Sequence, residues 1–209
     1  MTTDVAVPNH HHDHPPFAGI TGLLAAATMT VGRDGDARLA AELVRLAPGD
    51  LVVDIGCGPG VAARHAARLR TAVTGVDPAR VMLRVARALT RQADVRYVEG
   101  TAESLPLPDD CATVVWSIAT VHHWRAIDAG LLEVRRILRP GGRFVVLERM
   151  VRAGATGLAG HGWTSEQAHE FARACRGVGF QDVEVEGPRQ AGRRTMLAVT
   201  AIPLRAHCP

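Results

Sequence analysis

Residues 52 to 60 read VVDIGCGPG, Val52 through Gly60, with an aspartate and three glycines directly behind an apolar run. The apolar residues read as the end of a β-strand, and Gly56, Gly58 and Gly60 read as a tight turn that brings the backbone close to a ligand. From Val61 onward the spacing predicts a helix, whose first amides have no intrahelical acceptor and face whatever occupies the turn. Strand, glycine turn and helix in this order open a parallel α/β unit.

The same alternation continues on the C-terminal side. Strand-like runs are predicted at Leu51 to Ile55, Ala72 to Val76, Val95 to Val98, Thr113 to Ser117 and Arg143 to Leu147. Helical periodicity fills Val61 to Leu69, Ala79 to Arg91, Ala126 to Leu138 and Ser165 to Val178. Two last strands, Val183 to Glu186 and Thr195 to Ala201, are separated by only a turn region, which predicts an antiparallel closing hairpin. The fold class is α/β: a doubly wound, Rossmann-like, seven-stranded sheet, mostly parallel with an antiparallel C-terminal strand and helices on both faces. Ahead of it a helix is expected from Asp36 to Ala47, with Asp36 as its N-cap. Residues 36–209 form the main domain, 17–35 a lid segment and 1–16 a flexible arm carrying His10, His11, His12 and His14.

Composition narrows the setting. All 24 basic side chains are arginine, and the formal charge of +3 permits nucleic-acid binding without demanding it. The four cysteines, Cys57, Cys111, Cys175 and Cys208, form no CxxC pair, which argues against a zinc ribbon or a disulfide framework and suits a reducing cytoplasm. No secretory signal is evident, and the longest mostly apolar segment, Gly19 to Gly32, is shorter than the roughly 20 residues a bilayer requires. A soluble, cytoplasmic protein without stable membrane insertion is expected.

The ligand of the turn is read from charge. A dinucleotide fingerprint spaces its glycines GxGxxG, whereas here the third glycine is Gly60 and position 61 is valine. Asp54 stands at the strand's end, where a carboxylate repels pyrophosphate and attracts an ammonium group. A second strand ends at Asp77, 23 residues further on, the place from which a carboxylate accepts ribose hydroxyls. A ligand with an amino-acid end and a nucleoside end matches S-adenosylmethionine.

VVDIGCGPG, VTGVDPA, YVEGTAESLPLPDD, VVWSIATVHHW, VRRILRPGGRF and GF follow one another between about Asp50 and Phe180. In that order and spacing they resemble class I S-adenosylmethionine-dependent methyltransferases, in the broad group of small ones called type 11. The resemblance implies S-adenosylmethionine as cofactor and S-adenosylhomocysteine as product. It places Asp54, Gly56, Cys57, Gly58 and Gly60 around the methionine part, Asp77 and Pro78 at the ribose, Met82 on an adenine face and Ser117 beside the cofactor. Where the family often reads GDAE, this chain reads GTAE. Thr101 replaces the usual aspartate, so Ala102 and Glu103 become the expected adenine partners.

Methyl transfer is an in-line displacement at an activated carbon, so the enzyme mainly positions the acceptor and excludes water. A neutral acceptor must also lose a proton, for which histidine is best tuned. His122 and His123 follow the fourth strand and His161 follows the fifth, both at the sheet's carboxyl edge. These three are the candidate bases, and Trp124 and Trp163 offer either an apolar wall or core packing. No metal site is expected, although Glu148 with nearby histidines provides a metal-assisted variant. Arg80, Arg84, Arg87 and Arg91 recur at helical spacing and read as a solvated face. The expected acceptor is a small molecule, aromatic or lipid-like among the options, covered by the lid segment and the histidine loops. Three other readings stay open: a nicotinamide-dependent oxidoreductase, a non-catalytic module that binds S-adenosylmethionine, and metal handling by the N-terminal histidines.

Overall fold

The computed structural model describes residues 33–203, so the expectations for the histidine-rich arm and for residues 17–32 of the lid lie outside the described residues. The elements run α1 (Asp34–Leu43), β1 (Leu51–Ile55), α2 (Val61–Arg68), β2 (Ala72–Asp77), α3 (Arg80–Leu89), β3 (Val95–Glu99), β4 (Ala112–Ile118), α4 (Ile127–Ile137), β5 (Leu138–Arg149), α5 (Ser165–Gly177), β6 (Phe180–Ala191) and β7 (Arg194–Pro203). The seven strands form one sheet in the order β3-β2-β1-β4-β5-β7-β6. The pairs β1–β2, β1–β4, β2–β3 and β4–β5 are parallel, while β7 is antiparallel to both β5 and β6.

The pattern of side chains explains the layers. Strands buried on both sides read as continuous apolar runs, and β4 sends Val114 and Trp116 to one face and Val115 to the other. On the first face they meet Leu39 of α1, Ala63 of α2 and Leu83 of α3; on the second, Leu131 of α4 and Phe171 of α5. Helix α3 buries Val81, Met82, Leu83 and Ala86 and turns its arginines outward. Arg80 reaches Glu99 at 2.7 Å and Arg87 reaches the Tyr97 carbonyl at 2.8 Å, so part of the arginine stripe braces α3 against β3. Helix α5 starts on a reciprocal cap: Thr164 Oγ1 accepts the Gln167 amide and Gln167 Oε1 accepts the Thr164 amide.

Two expectations change. Helix α1 starts at Asp34 and ends at Leu43, and Asp36 is no N-cap: it lies in the first turn, buried, with Oδ2 accepting from Arg194 at 2.8 Å. A carboxylate directly after a glycine imitates a cap in sequence, but its real partner is 158 positions away. Strands β5 and β6 are each 12 residues long, well beyond the apolar runs that announce them, because backbone pairing with the neighbouring strand continues through polar positions. The connection between β3 and β4 carries no helix, and a groove of about 320 Å³ opens by the strand starts, lined by Leu51, Ala72, Thr74, Arg96 and Cys111 among others. It lies at the far end of the sheet from the glycine turn.

Phe171 is fully buried and touches three aromatic neighbours, with ring centroids 4.9 Å from Trp163 and 6.5 Å from both Trp124 and Phe144. Phe171→Ala is expected to cost about 3–5 kcal/mol of stability through the cavity it leaves, read as an earlier urea midpoint.

Candidate active site

Strand order reverses between β1 and β4, and the loops leaving their carboxyl ends meet there, as ligand sites in open α/β sheets do. The glycine turn is left-handed throughout, with φ of +71° at Gly56, +50° at Gly58 and +78° at Gly60. Its amides are already engaged, mostly with β2. Gly56 and Cys57 donate to the Val76 carbonyl at 2.8 and 3.1 Å, Gly60 to the Cys57 carbonyl at 2.9 Å, and Gly58 to Asp77 Oδ2 at 2.8 Å. The donors left for an anion are the first amides of α2, Val61 and Ala62, which have no intrahelical acceptor.

Two residues that sequence reasoning passed over hold the turn in place. Thr120 donates to the Ile55 carbonyl at 3.1 Å, and a Cβ on Gly56 would fall 2.6 Å from its hydroxyl. Ser117 is buried and lies 2.6 Å from the same hydroxyl, so it acts through Thr120. Tyr97 covers Gly60, where any Cβ would collide with the phenol oxygen, and that oxygen lies 2.9 Å from Thr90 Oγ1. Ala119, just past β4, also adopts a left-handed φ of +55°, a strained conformation for a non-glycine residue, of the kind that gathers at functional sites.

Asp54 is buried and its Oδ2 has no hydrogen-bond partner. Burial pushes its carboxyl up to about 7; the neighbouring Trp116 indole draws it down, the Asp77 charge raises it further and the Ala63 amide lowers it. Asp77 accepts Gly58 N on one oxygen and Ala79 N on the other, both at 2.8 Å. Burial pushes that carboxyl up as well, against these two amides. Each of its oxygens keeps a lone pair that a ribose hydroxyl can use. Pro78 is exposed beside it, and Met82 is buried with Ala79 and Val81 at the start of α3. Cys57 is buried with Sγ 3.7 Å from the Gly58 carbonyl, and burial, with Asp54 and Asp77 nearby, pushes its thiol well above the ordinary range.

The residues expected at the adenine divide. Thr101 is exposed and bridged to Ser104, and Ala102 is buried in the core. Glu103 has other work: its Oε1 accepts the amides of Arg125 at 2.6 Å and Ala126 at 3.3 Å, which fixes the entry to α4. An unpartnered buried acceptor at Asp54 and open space where a Gly58 Cβ would stand fit a ligand with an ammonium end pressed against the turn.

On the other side of the switch point the three histidines converge. Ring centroids lie 4.1 Å apart for His122 and His123, 5.7 Å for His122 and His161, and 6.2 Å for His123 and His161. His122 is buried and His123 exposed, as adjacent residues in a short 3₁₀ turn require. Glu148, fully buried at the end of β5, accepts Val121 N at 2.8 Å and His122 N at 3.4 Å, and His122 Nδ1 lies 3.0 Å from its Oε2. That contact assigns the ring proton to Nδ1 and leaves Nε2 as the ring's acceptor. Among the described residues no three His, Cys, Asp or Glu side chains are arranged to hold a metal ion. The Trp124 and Trp163 rings are buried in the Phe171 cluster and form no exposed wall.

Residues 53–146 match the family described as "Methyltransferase domain". The chain is 37% identical over 127 residues to the malonyl-[acyl-carrier protein] O-methyltransferase of Serratia marcescens, covering 61% of this chain and 48% of that protein. It is 35% identical over 106 residues to the fatty-acid O-methyltransferase of Mycolicibacterium smegmatis, covering 50% of this chain and 39% of that one. The chain thus spans half or less of these relatives' lengths. A solved structure from Methanococcus maripaludis, described as an S-adenosyl-L-methionine-dependent methyltransferase, superposes with a TM-score of 0.74 over 95% of this chain and 99% of that one. At 14% identity that likeness is one of fold alone. Sheet order, glycine turn and sequence match agree: the fold of the described residues and the match over residues 53–146 are similar to those of class I S-adenosylmethionine-dependent methyltransferase domains. Among the described residues no helix is long and apolar enough to cross a membrane.

An ammonium group beside Asp54 favours the ionised carboxylate, so cofactor binding is expected to release a proton near neutral pH and to weaken as pH falls below about 7. Calorimetry in buffers of different ionisation enthalpy reads the proton, and Asp54→Asn removes it. Without ligand the sign reverses. The folded chain keeps a proton that the unfolded chain gives up above about 4, so Asp54's contribution to stability declines as pH rises from there towards about 7.

Proposed function

We propose that the protein transfers the methyl group of S-adenosylmethionine to a small-molecule acceptor, in the cytoplasm. The observation that carries this reading is the pair of buried carboxylates bracketing the glycine turn, Asp54 with an unpartnered oxygen and Asp77 tied to the turn's own amides. The bound cofactor supplies an electrophilic methyl group on a positively charged sulfur. Asp54 meets the amino end, Asp77 the ribose, and Met82 with its neighbours borders the adenine. His122, His123 and His161 border the acceptor, with Glu148 fixing the tautomer and attitude of His122. A hydroxyl, thiol or amine acceptor would pass a proton to one of these imidazoles, whereas an acceptor that is already an anion has none to pass. The relatives named above act, by their names, on a malonyl group and on fatty acids, which supports a small or carrier-bound acceptor.

Nucleic acid is not among the proposed partners, because two of the three arginines of α3, Arg80 and Arg87, are engaged with Glu99 and the Tyr97 carbonyl.

Titration of the ligand-stripped protein with S-adenosylmethionine, S-adenosylhomocysteine and NADH tests the cofactor reading. Tight binding of the first two is expected, weakened roughly 10- to 100-fold in Asp77→Ala through loss of charge-assisted hydrogen bonds. Binding of NADH alone would sink it. Turnover separates an enzyme from a module that merely binds the cofactor. Glu148→Gln is expected to lower kcat by about 100-fold through misplacement of the histidine turn, with the cofactor's KM unchanged; an equal fall in cofactor affinity would refute its assignment to the acceptor side.

A further inference from the structure

The corner where β5 ends, β7 begins and α1 starts holds a cation whose charge the cofactor reading does not use. Gly35 lies against the β6–β7 hairpin so closely that a Cβ there would fall 2.9 Å from Gly192 N. This seats the first turn of α1 at the sheet's carboxyl edge. Arg33, immediately before that turn, is half-buried, and its Nε is shielded from solvent with no hydrogen-bond partner. Burial lowers its pKa and the guanidinium of Arg194 lowers it further, while Asp36 and Glu148 act in the opposite direction. A guanidinium stays charged regardless.

The two carboxylates near Arg33 are committed elsewhere. Asp36 gives Oδ2 to Arg194 at 2.8 Å, and its Oδ1, like Arg33 Nε, is buried without a partner. Glu148 is taken by the Val121 and His122 amides and by the His122 ring. A further cation, Arg149, ends β5 with Nε donating to the His161 carbonyl at 2.9 Å. Among the described residues the corner thus sets Arg33 beside Arg194 and two carboxylates that are engaged with other partners, next to the histidine loop. Buried donors in native proteins have acceptors, and a desolvated guanidinium most of all.

We propose that the acceptor is a carboxylate-bearing small molecule whose anionic group is held by Arg33 at this corner, beside the imidazoles of His122, His123 and His161. The proposal rests on the methyl-transfer reading and names its substrate class. The planar fork of a guanidinium matches the two oxygens of a carboxylate. A carboxylate is ionised at neutral pH, so no base is needed. One carboxylate oxygen bonds to the methyl carbon as the carbon–sulfur bond breaks, with that bond's electron pair left on sulfur. The two opposite charges cancel, an ester forms and no proton moves. The imidazoles then serve as hydrogen-bonding neighbours that aim the oxygen. Because the ester is neutral, it loses its hold on Arg33, which favours product release.

The test uses the full chain loaded with S-adenosylhomocysteine, titrated with hexanoate and benzoate and with the matched neutral probes hexanamide and benzamide. At least one acid is expected to bind about tenfold or more tightly than its amide, the margin of a charged hydrogen-bonded pair. Arg33→Gln is expected to erase that preference and Arg33→Lys to keep part of it. Equal binding of acid and amide, as when Arg33 Nε and Asp36 Oδ1 serve only each other through a water, would overturn the proposal. So would failure of both acids to bind, or a preference that survives Arg33→Gln. Affinity for S-adenosylhomocysteine is read first: its absence in the unmodified chain defeats the methyl-transfer reading itself, whereas its presence without an acid preference defeats only the carboxylate. If Arg33→Gln also loses that affinity, Arg33→Lys decides, a retained preference supporting the assignment and a lost one rejecting it.

Discussion

One carboxylate ties the two halves of the cofactor side together. Asp77 ends β2, yet its two oxygens hold the Gly58 amide of the turn after β1 and the Ala79 amide ahead of α3. With the Val76 carbonyl taking the Gly56 and Cys57 amides, the turn is laced to the neighbouring strand rather than closed on itself. Three left-handed glycines spaced by single residues would by themselves be among the most mobile segments of a chain, since glycine loses the most conformational freedom on ordering. Fastened in this way, they become a fixed wall. The same lacing offsets part of the cost of burying Asp77, and it leaves Asp54 beside a second carboxylate in a buried site.

The sheet supplies the second constraint. Parallel strands all present their carboxyl ends on one side, so chemistry from β1, β2, β4 and β5 is gathered along one edge even though it is dispersed over a hundred positions of sequence. The base of β1, β4 and β5 is held by Asp50, whose Oδ1 accepts from Thr113 at 2.7 Å and from Arg143. That clamp sits at the far end of the strands from the glycine turn. Register fixed there carries upward to Thr120, Ala119 and Glu148, whose positions matter to within a fraction of an ångström.

What could be read in advance follows from what is periodic or local. Strand and helix order, the parallel sheet and the closing hairpin were legible because alternating apolar runs and glycine turns are local signals. The convergence of His122, His123 and His161 was legible as well, since both loops leave the carboxyl edge. The partners of buried polar groups were not. Asp36 looks like a cap because caps are acidic, and only the fold reveals Arg194 beside it. Glu103 looks like a ligand residue, but its carboxylate closes the entry to α4 across 22 positions of sequence. Trp163 looks like a site wall beside a histidine, and packing turns it inward onto Phe171. Arg33 gave no signal at all, because one arginine among many acquires meaning only from the loss of its acceptors on burial.

These placements give the edge an electrical direction. Asp54 and Asp77 stand on the β1–β2 side, and Arg33, Arg149 and Arg194 on the β5–β7 side, with the two carboxylates near them already engaged. In the proposed reaction a positively charged sulfonium is drawn towards acids and a negatively charged acceptor towards bases, and the two approach along the line between them. Methyl transfer cancels the acceptor's charge and with it Arg33's grip, while Asp54 and Asp77 keep the ammonium and ribose ends that S-adenosylhomocysteine retains. Such an arrangement holds charged reactants in line without needing a strong catalytic group. The burial that makes Asp54 and Arg33 costly to fold is then what makes them effective, since charges act most strongly on a ligand where water has been removed.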